Sequence, residues 1–299
     1  MRIAAAAGLT DTGRKRRRNE DAFVCRAPLF AVADGMGGAQ AGEVASRLAA
    51  TAISERAPDA SGEAVVAALV AEANRRVWQR SQEDMSHSGM GTTITVALAD
   101  LAGGTIAIGH VGDSRAYRIR DGALEQLTED HSLVAELVRR GRLSPEEAET
   151  HPQRSVITRA LGTEPDVEVD LFTVEGLPGD LFLLCSDGLT TMVPDAELLD
   201  LAAGSRADLE AVARALVDAA NAAGGEDNVT VVAFELEEGD PPAELPAAAD
   251  VEPAPAPAPE EQTVEMRRHG AMPGGRLGAF AAIAGTGLAA LLLVWGLKR

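Results

Sequence analysis

The chain has 299 residues, with 27 Lys plus Arg against 46 Asp plus Glu and a net charge of −19. That length allows one large or two small domains with a full core, and that charge argues against a general nucleic-acid binder, which needs excess Lys and Arg to meet phosphate. Hydrophobic residues make up 46% but aromatics only 3%, so the core must be built from Ala, Val, Leu and Ile.

The opening MRIAAAAGLTDTGRKRRRNED lacks a positive segment followed by an apolar stretch, so no signal peptide is expected. Cys25 and Cys185 sit in apolar runs. They read as buried free thiols in a reducing cytosol, with a single disulfide left open. LFAVAD (29–34) reads as a short strand. Helices are expected over 41–57 and 62–82, the second with an apolar stripe of Val65, Leu69, Ala73 and Val77. Strands follow over 92–101, 105–112 and 114–120, with turn signals at Gly103-Gly104 and Asp121-Gly122. A helix over 132–140 precedes Ser144-Pro-Glu-Glu147, which has the form of a capping box. A strand over 180–187, a helix over 207–222 and a strand over 228–236 complete the folded part. Consecutive hairpins with helices grouped around them indicate α+β layering.

Composition changes near residue 238. Eight of the 15 prolines fall between Gly239 and Arg276, and residues 235–261 hold nine acidic side chains and no basic one. The Pro-Ala run over 253–259 favours polyproline II, so 239–276 reads as a disordered, self-repelling spacer. Leu277 to Leu297 is 21 residues without a charge; as a helix it would span roughly 30 Å, a bilayer core. Trp295 sits near one end, where indoles favour the interface. Arg267, Arg268 and Arg276 precede the run, and Lys298 and Arg299 follow it as a short basic tail. The expectation is a single C-terminal transmembrane helix that holds residues 1–238 at the cytoplasmic face of the inner membrane. Gly278, Gly285 and Gly287 leave dimerisation open.

Aspartates recur at strand ends. Asp34 ends LFAVAD, Asp113 follows TIAIGHVG, Asp187 ends DLFLLCS and Asp227 precedes the last strand. Glu20 and Asp21 sit just before AFVCRA. A lone Asp-Gly at a strand end is usually a turn, but this many converging carboxylates would repel. Each pair about 4 Å apart costs roughly 4 kcal/mol at an effective dielectric near 20. Hard divalent cations with oxygen ligands relieve that repulsion. The histidines (His87, His110, His131, His151, His269) are scattered, which disfavours zinc. The basic run from Arg14 to Arg18 leads directly into Asn19-Glu20-Asp21. An arginine beside a carboxylate–metal centre suits bidentate capture of a phosphoryl group, and together they suggest two-metal phosphate ester hydrolysis. Gly35-Met-Gly-Gly38 lacks the dinucleotide-loop spacing and no P-loop occurs. Asn228-Val-Thr230 matches a glycosylation sequon but reads as structural.

Eight stretches, in order, carry a resemblance: RRRNED (16–21), LFAVADGMGG (29–38), GMGTT (89–93), HVGDSRAY (110–117), LTEDHSL (127–133), HPQRSVITRALG (151–162), LLCSDGLT (183–190) and GGEDNVT (224–230). Over about residues 1–236 the chain resembles the bacterial metal-dependent Ser/Thr protein phosphatases of the protein phosphatase 2C type. The resemblance implies a four-layer α-β-β-α sandwich of two antiparallel sheets flanked by helix pairs, with a flap-like insertion over about 131–165. It implies two Mn²⁺ or Mg²⁺ ions per site. Asp34, Asp187 and Asp227 would hold the first; Asp34, the Gly35 carbonyl and, through water, Glu20 would hold the second. Asp113 with Asp187 would mark a third. Asp21 would hydrogen-bond a metal-bound water. Arg16 would bind phosphate, with Arg14, Arg17 and Arg18 as competitors for that role. Eukaryotic relatives carry a His where this chain has Met36, and a thioether cannot donate a proton. The implied activity is hydrolysis of phosphoserine and phosphothreonine in proteins, opposing a membrane Ser/Thr kinase. A membrane-tethered pseudophosphatase or phosphoprotein-binding module, and a phosphatase for small esters, are the rival readings.

Overall fold

Strand alternation dictates the layering. In the computed structural model, which describes residues 1–37, 41–55, 60–83, 88–204 and 206–240, strand β3 (Leu29–Met36) buries both faces. Leu29, Ala31 and Ala33 pack toward helices, while Phe30 and Val32 pack toward a second sheet. A strand buried on both faces needs a layer on each side.

The chain runs β1 (Arg2–Asp11), β2 (Asp21–Arg26), β3, α1 (Ala41–Ser54), α2 (Glu63–Glu83), β4 (Gly91–Thr92), β5 (Ile94–Asp100), β6 (Thr105–Val111), β7 (Arg115–Arg120) and β8 (Ala123–Gln126). Then come α3 (Leu133–Arg139), α4 (Pro145–Glu149), β9 (Asp170–Glu175), β10 (Leu181–Cys185), α5 (Asp187–Thr190), α6 (Asp195–Gly204), α7 (Leu209–Ala222) and β11 (Val229–Glu237). One sheet has the order β1-β11-β10-β7-β8; the other has β2-β3-β5-β6-β9, with β4 pairing β3 at one end. The pairings are antiparallel.

Three apolar layers follow. Residues of α1 and α2 cover one sheet, with Ala45, Ala49, Ile53, Val70, Ala73 and Val77 against Val96, Leu98 and Ala107. Residues of α6 and α7 cover the other, with Leu198, Leu209, Val212 and Leu216 against Leu181, Leu183 and Val231. Between the sheets the few aromatics are concentrated: Phe234 stacks on Phe30 at 4.0 Å and on Phe182 at 5.1 Å between ring centroids. This is the expected α-β-β-α arrangement.

The expected elements that fall on described residues are present, with shifted ends, beside several that the sequence did not suggest. The stretch 92–101 is two strands, because Thr93 leaves the ladder to bond Asp34. The Ser144 capping box is formed, with Glu147 N to Ser144 Oγ at 3.2 Å and Ser144 N to Glu147 Oε2 at 2.8 Å. Strand β1 arises from an Ala-rich run with weak strand propensity; its register with β11, from Arg2 opposite Glu237 to Asp11 opposite Val229, holds it in the sheet. The ends of the expected helix 41–57, the spacer beyond Asp240 and the apolar run 277–297 lie partly or wholly outside the described residues. Among the described residues no helix is long and apolar enough to cross a membrane.

Candidate active site

The inter-sheet layer is apolar in the middle and acidic at one end. On β3 the face that carries Phe30 and Val32 continues to Asp34; on β11 the face of Phe234 and Val232 continues back to Thr230 and Asn228. The hairpin register sets Asp21 opposite Asp34. Asp187 follows β10 at the start of α5, and Asp113 follows β6. One sheet end therefore collects Asp21, Asp34 and Asp113, and the facing sheet end supplies Asp187 and Asp227.

Asp21 is buried. Its Oδ2 accepts from Thr230 Oγ1 at 2.6 Å and from Ser186 Oγ at 2.8 Å, while its Oδ1 is buried with no partner. Asp113 Oδ1 and Asp187 Oδ1 are likewise buried and unpartnered. Desolvation, with the charges of Asp187 and Asp227 and against the two hydroxyl bonds, pushes Asp21 up to about 7. Desolvation and the charges of Asp187 and Asp130 push Asp113 up to about 8. Asp34 is raised well above the ordinary carboxylate range by desolvation, then by Asp21, Asp187, Asp113 and Asp227. Asp187 is raised by desolvation and by Asp227. These carboxylates feel one another strongly, and a proton or a cation must reconcile them.

The mouth of the site is a loop between β1 and β2. Arg16 Nη2 donates to Asp227 Oδ2 at 2.6 Å. Within the run Arg14 to Arg18, the Arg16 guanidinium reaches this carboxylate. Asn228 clasps the loop: its Nδ2 donates to Thr12 O at 2.9 Å and Arg18 O at 2.8 Å, and its Oδ1 accepts from Glu20 N at 2.8 Å. Gly13 turns at φ 79°, where a Cβ would sit 2.1 Å from Asp227 O. The β3 end is equally tight. Thr93 Oγ1 accepts from Asp34 N at 2.9 Å, and Thr92 Oγ1 donates to Asp34 O at 2.8 Å. A Cβ added at Gly42 would lie 2.7 Å from Gly35 O and 2.8 Å from Glu20 Oε2. The Gly35 carbonyl and Glu20 thus share one small space, kept open because α1 presents no side chain there. Desolvation outweighs Arg16 and, with Asp227 and Glu43, raises Glu20.

The stretch 131–165, expected as a flap, holds α3 and α4. Both of its ends bond to site strands. His131 N donates to Gly112 O at 2.7 Å, and Leu161 exchanges backbone bonds with Thr92 at 3.1 and 2.9 Å. Cys25 and Cys185 are free, and burial pushes them up to about 11 and about 12, so neither offers a thiolate.

Among the described residues no three His, Cys, Asp or Glu side chains already close into a metal cage. The donors nonetheless fit hard divalent cations. They are oxygens throughout, three of their carboxyl oxygens are buried with no partner, and the Gly35–Glu20 space would be filled by a single Cβ. Glu20, Asp21, Asp34, Gly35, Asp113, Asp187, Asp227 and Arg16, the site residues expected from the sequence, come to one end of the inter-sheet layer. Asn228, Ser186, Thr230, Thr93 and Gly42, which hold these groups in place, were not among them. The alternation of Asn228 and Thr230 on one face of a strand beside Asp227 was the available signal.

Two antiparallel sheets ending in this acidic cleft, with an arginine at its mouth, define a class. The chain belongs to the protein phosphatase 2C family, whose model matches residues 13–228. It is a metal-dependent protein-serine/threonine phosphatase, a phosphoric monoester hydrolase. It is similar to the serine/threonine phosphatase stp of Listeria welshimeri, 42% identical over 238 residues that cover 76% of this chain and 93% of that one. Among solved structures, the Mycobacterium tuberculosis serine/threonine phosphatase PstP/Ppp matches with a TM-score of 0.73 at 41% identity, covering 79% of this chain and 100% of that one. The catalytic domain of PstP in complex with two manganese ions matches with a TM-score of 0.72 at 38% identity, covering 79% and 99%.

Proposed function

We propose that the enzyme removes phosphate from phosphoserine and phosphothreonine in proteins by direct attack of water, at the cytoplasmic face of the inner membrane, opposing a Ser/Thr protein kinase. The observation that carries the chemistry is the set of unpartnered buried carboxyl oxygens on Asp21, Asp113 and Asp187 beside Asp34, under the Arg16 guanidinium. Asp34, Asp187 and Asp227, and Asp34 with the Gly35 carbonyl and Glu20, would hold two Mn²⁺ or Mg²⁺ ions; Asp113 with Asp187 would take a third. Bound there, divalent cations lower the pKa of water and neutralise charge on the phosphoryl oxygens.

The residues of the chain do the rest. Arg16 offers a planar fork to two phosphoryl oxygens, exchanging its bond to Asp227 for them; half of its side chain is exposed at the mouth. Asp21, fixed by two hydroxyls, presents Oδ1 as an acceptor that orients the attacking water. Met36 carries no proton, so it does not protonate the leaving group. Nothing in this scheme needs a covalent phosphoenzyme.

The membrane location rests on the uncharged run 277–297 behind an acidic, Pro-rich spacer. A tether of this kind raises the local concentration of membrane-bound phosphoproteins without any new contact. Two measurements test the reading. Phosphate release from a phosphothreonine peptide with Mn²⁺ should be lost on chelation and restored by metal. The full chain should sediment with membranes, and a chain ending at residue 238 should remain in the supernatant. Metal-independent release, or equal partition of both chains, would contradict it.

A further inference from the structure

The run Arg14 to Arg18 is five consecutive cations in a chain of net charge −19, and the site chemistry uses one of them. All five are exposed. The loop that carries them is held rigidly. Gly225 O accepts from Arg14 N at 2.7 Å and Lys15 N at 3.1 Å, and Asn228 grips both ends through Thr12 O and Arg18 O. The carboxylates that follow Gly225 are already taken. Asp227 receives Arg16, and Glu226 lies 3.8 Å from Arg154, which reaches across from the flap. Glu20 lies within the electrostatic reach of Arg16 and Arg18. Arg18 has contacts of its own. Arg14, Lys15 and Arg17 pair with no carboxylate among the described residues.

We infer that Arg14, Lys15 and Arg17 form a cationic rim on a held backbone that selects phosphoprotein segments carrying further negative charge beside the scissile phosphate, as Asp or Glu side chains or as a second phosphoryl group. This deepens the phosphatase reading and rests on it. The backbone of the rim is already held, so little loop freedom is lost on binding, while the exposed side chains must still be ordered. The field of the rim raises the encounter rate with anionic segments and disfavours basic ones. Each such contact is exposed, so each contributes modestly and is screened by salt.

The test uses the full chain with Mn²⁺ and three phosphothreonine peptides that differ only in their flanks: Ser and Gly, Asp and Glu, or a second phosphothreonine. At low salt, kcat/KM for the anionic peptides should exceed that for the neutral one by about three- to tenfold, shrinking toward unity at high salt. The Arg14→Gln/Lys15→Gln/Arg17→Gln variant should lose that ratio and keep its turnover of p-nitrophenyl phosphate. Comparison of the two anionic arms identifies which source of charge is read. Fluorescence anisotropy of the same peptides on the Asp34→Asn protein, in which turnover is expected to be lost, gives the flank preference independently of hydrolysis. Absent turnover of every substrate would sink the phosphatase reading, while anisotropy would still decide the rim. Equal values for all three peptides, or a preference retained in the triple variant, would overturn the inference. So would binding to phosphatidylserine vesicles that disappears in the variant without any peptide preference, which would assign the rim to lipid.

Discussion

Asp21 stands directly opposite Asp34 across the β2–β3 hairpin, both on the face that looks into the inter-sheet layer. Cross-strand partners hold their Cβ atoms about 4.5–5.5 Å apart, where like charges destabilise the pair. Antiparallel register thus builds a repulsive pair into the floor of the cleft, and Asp187, Asp113 and Asp227 add to it. Cations bound here, as proposed, would couple metal binding to fold stability.

Replacement of Asp34 by Asn separates the two roles. Phosphopeptide turnover should fall by at least about 100-fold, because a carboxylate proposed to hold metal is lost. The metal-free protein should become more stable, because one member of the crowded set is neutralised. Relief of about 1 kcal/mol raises Tm by about 2–4 °C in a domain of this size. Phosphate release and thermal melts in chelator check both; a lower Tm for the metal-free variant would contradict the electrostatic half.

The pH dependence of the metal-free protein follows from the same groups. Asp21 at about 7 and Asp113 at about 8 lie above the ordinary 3.8 of an unfolded Asp. Between those values the native state holds more protons than the unfolded state, so stability falls as pH rises through about 7 and about 8. Buried His110, lowered from 6.5 to about 4 by desolvation and by His131, acts in the opposite sense. Its contribution is complete above 6.5 and is lost as pH falls toward 4. Two raised carboxyls outweigh one lowered imidazole, so melts in chelator should lose stability along one alkaline limb from about pH 4 to about pH 8, and saturating Mn²⁺ should flatten that limb by displacing the carboxyl protons. An alkaline limb unchanged by metal would contradict this.

Asn228→Ala removes three hydrogen bonds that fix the loop from Thr12 to Glu20. Each buried polar group left unpaired costs about 1–3 kcal/mol. KM for phosphopeptide should rise several-fold, because Arg16 is carried on that loop, and a substantial drop in Tm should accompany it. Asn228→Asp should fail to rescue, since it keeps the acceptor and loses both donors. Steady-state kinetics and melts on the two variants test this.

Phe234 is the middle ring of the Phe30–Phe234–Phe182 stack between the sheets. Truncation to Ala should cost about 3–5 kcal/mol, which lowers Tm by about 6–20 °C. Denaturant unfolding of the Mn²⁺-loaded protein gives the value directly, and a cost below 1 kcal/mol would mean that the inter-sheet layer is not a continuous core.

Local signals made much of this fold legible. The hairpin turns at Gly103-Gly104 and Asp121-Gly122, the alternation in 105–112 and 114–120, and the Ser144–Glu147 box are short-range, and they appear where expected. Strand β1 was not legible, because RIAAAAGLTD has little strand propensity and its strand state depends on pairing with β11 more than 200 residues away. Strand β9 was hidden for a similar reason: DLFTVE is short, and its pairing with β6 places it. At the site the acidic residues announced themselves through their chemistry. Their supports did not. Gly42 matters only because Gly35 O and Glu20 Oε2 approach it, and Ser186 and Thr230 matter only because two distant strands place them on one oxygen of Asp21. Nothing in the run RKRRR marks out Arg16, whose reach to Asp227 depends on the folded loop.

The most direct measurement is anomalous diffraction at the manganese edge from crystals grown with Mn²⁺, on protein whose phosphopeptide hydrolysis depends on that metal. Two peaks are expected among the carboxylates of Asp34, Asp187 and Asp227 and beside the Gly35 carbonyl, with Arg16 at the open side. Manganese found elsewhere, or none between these side chains in active protein, would contradict the assignment of this cleft as the hydrolytic centre.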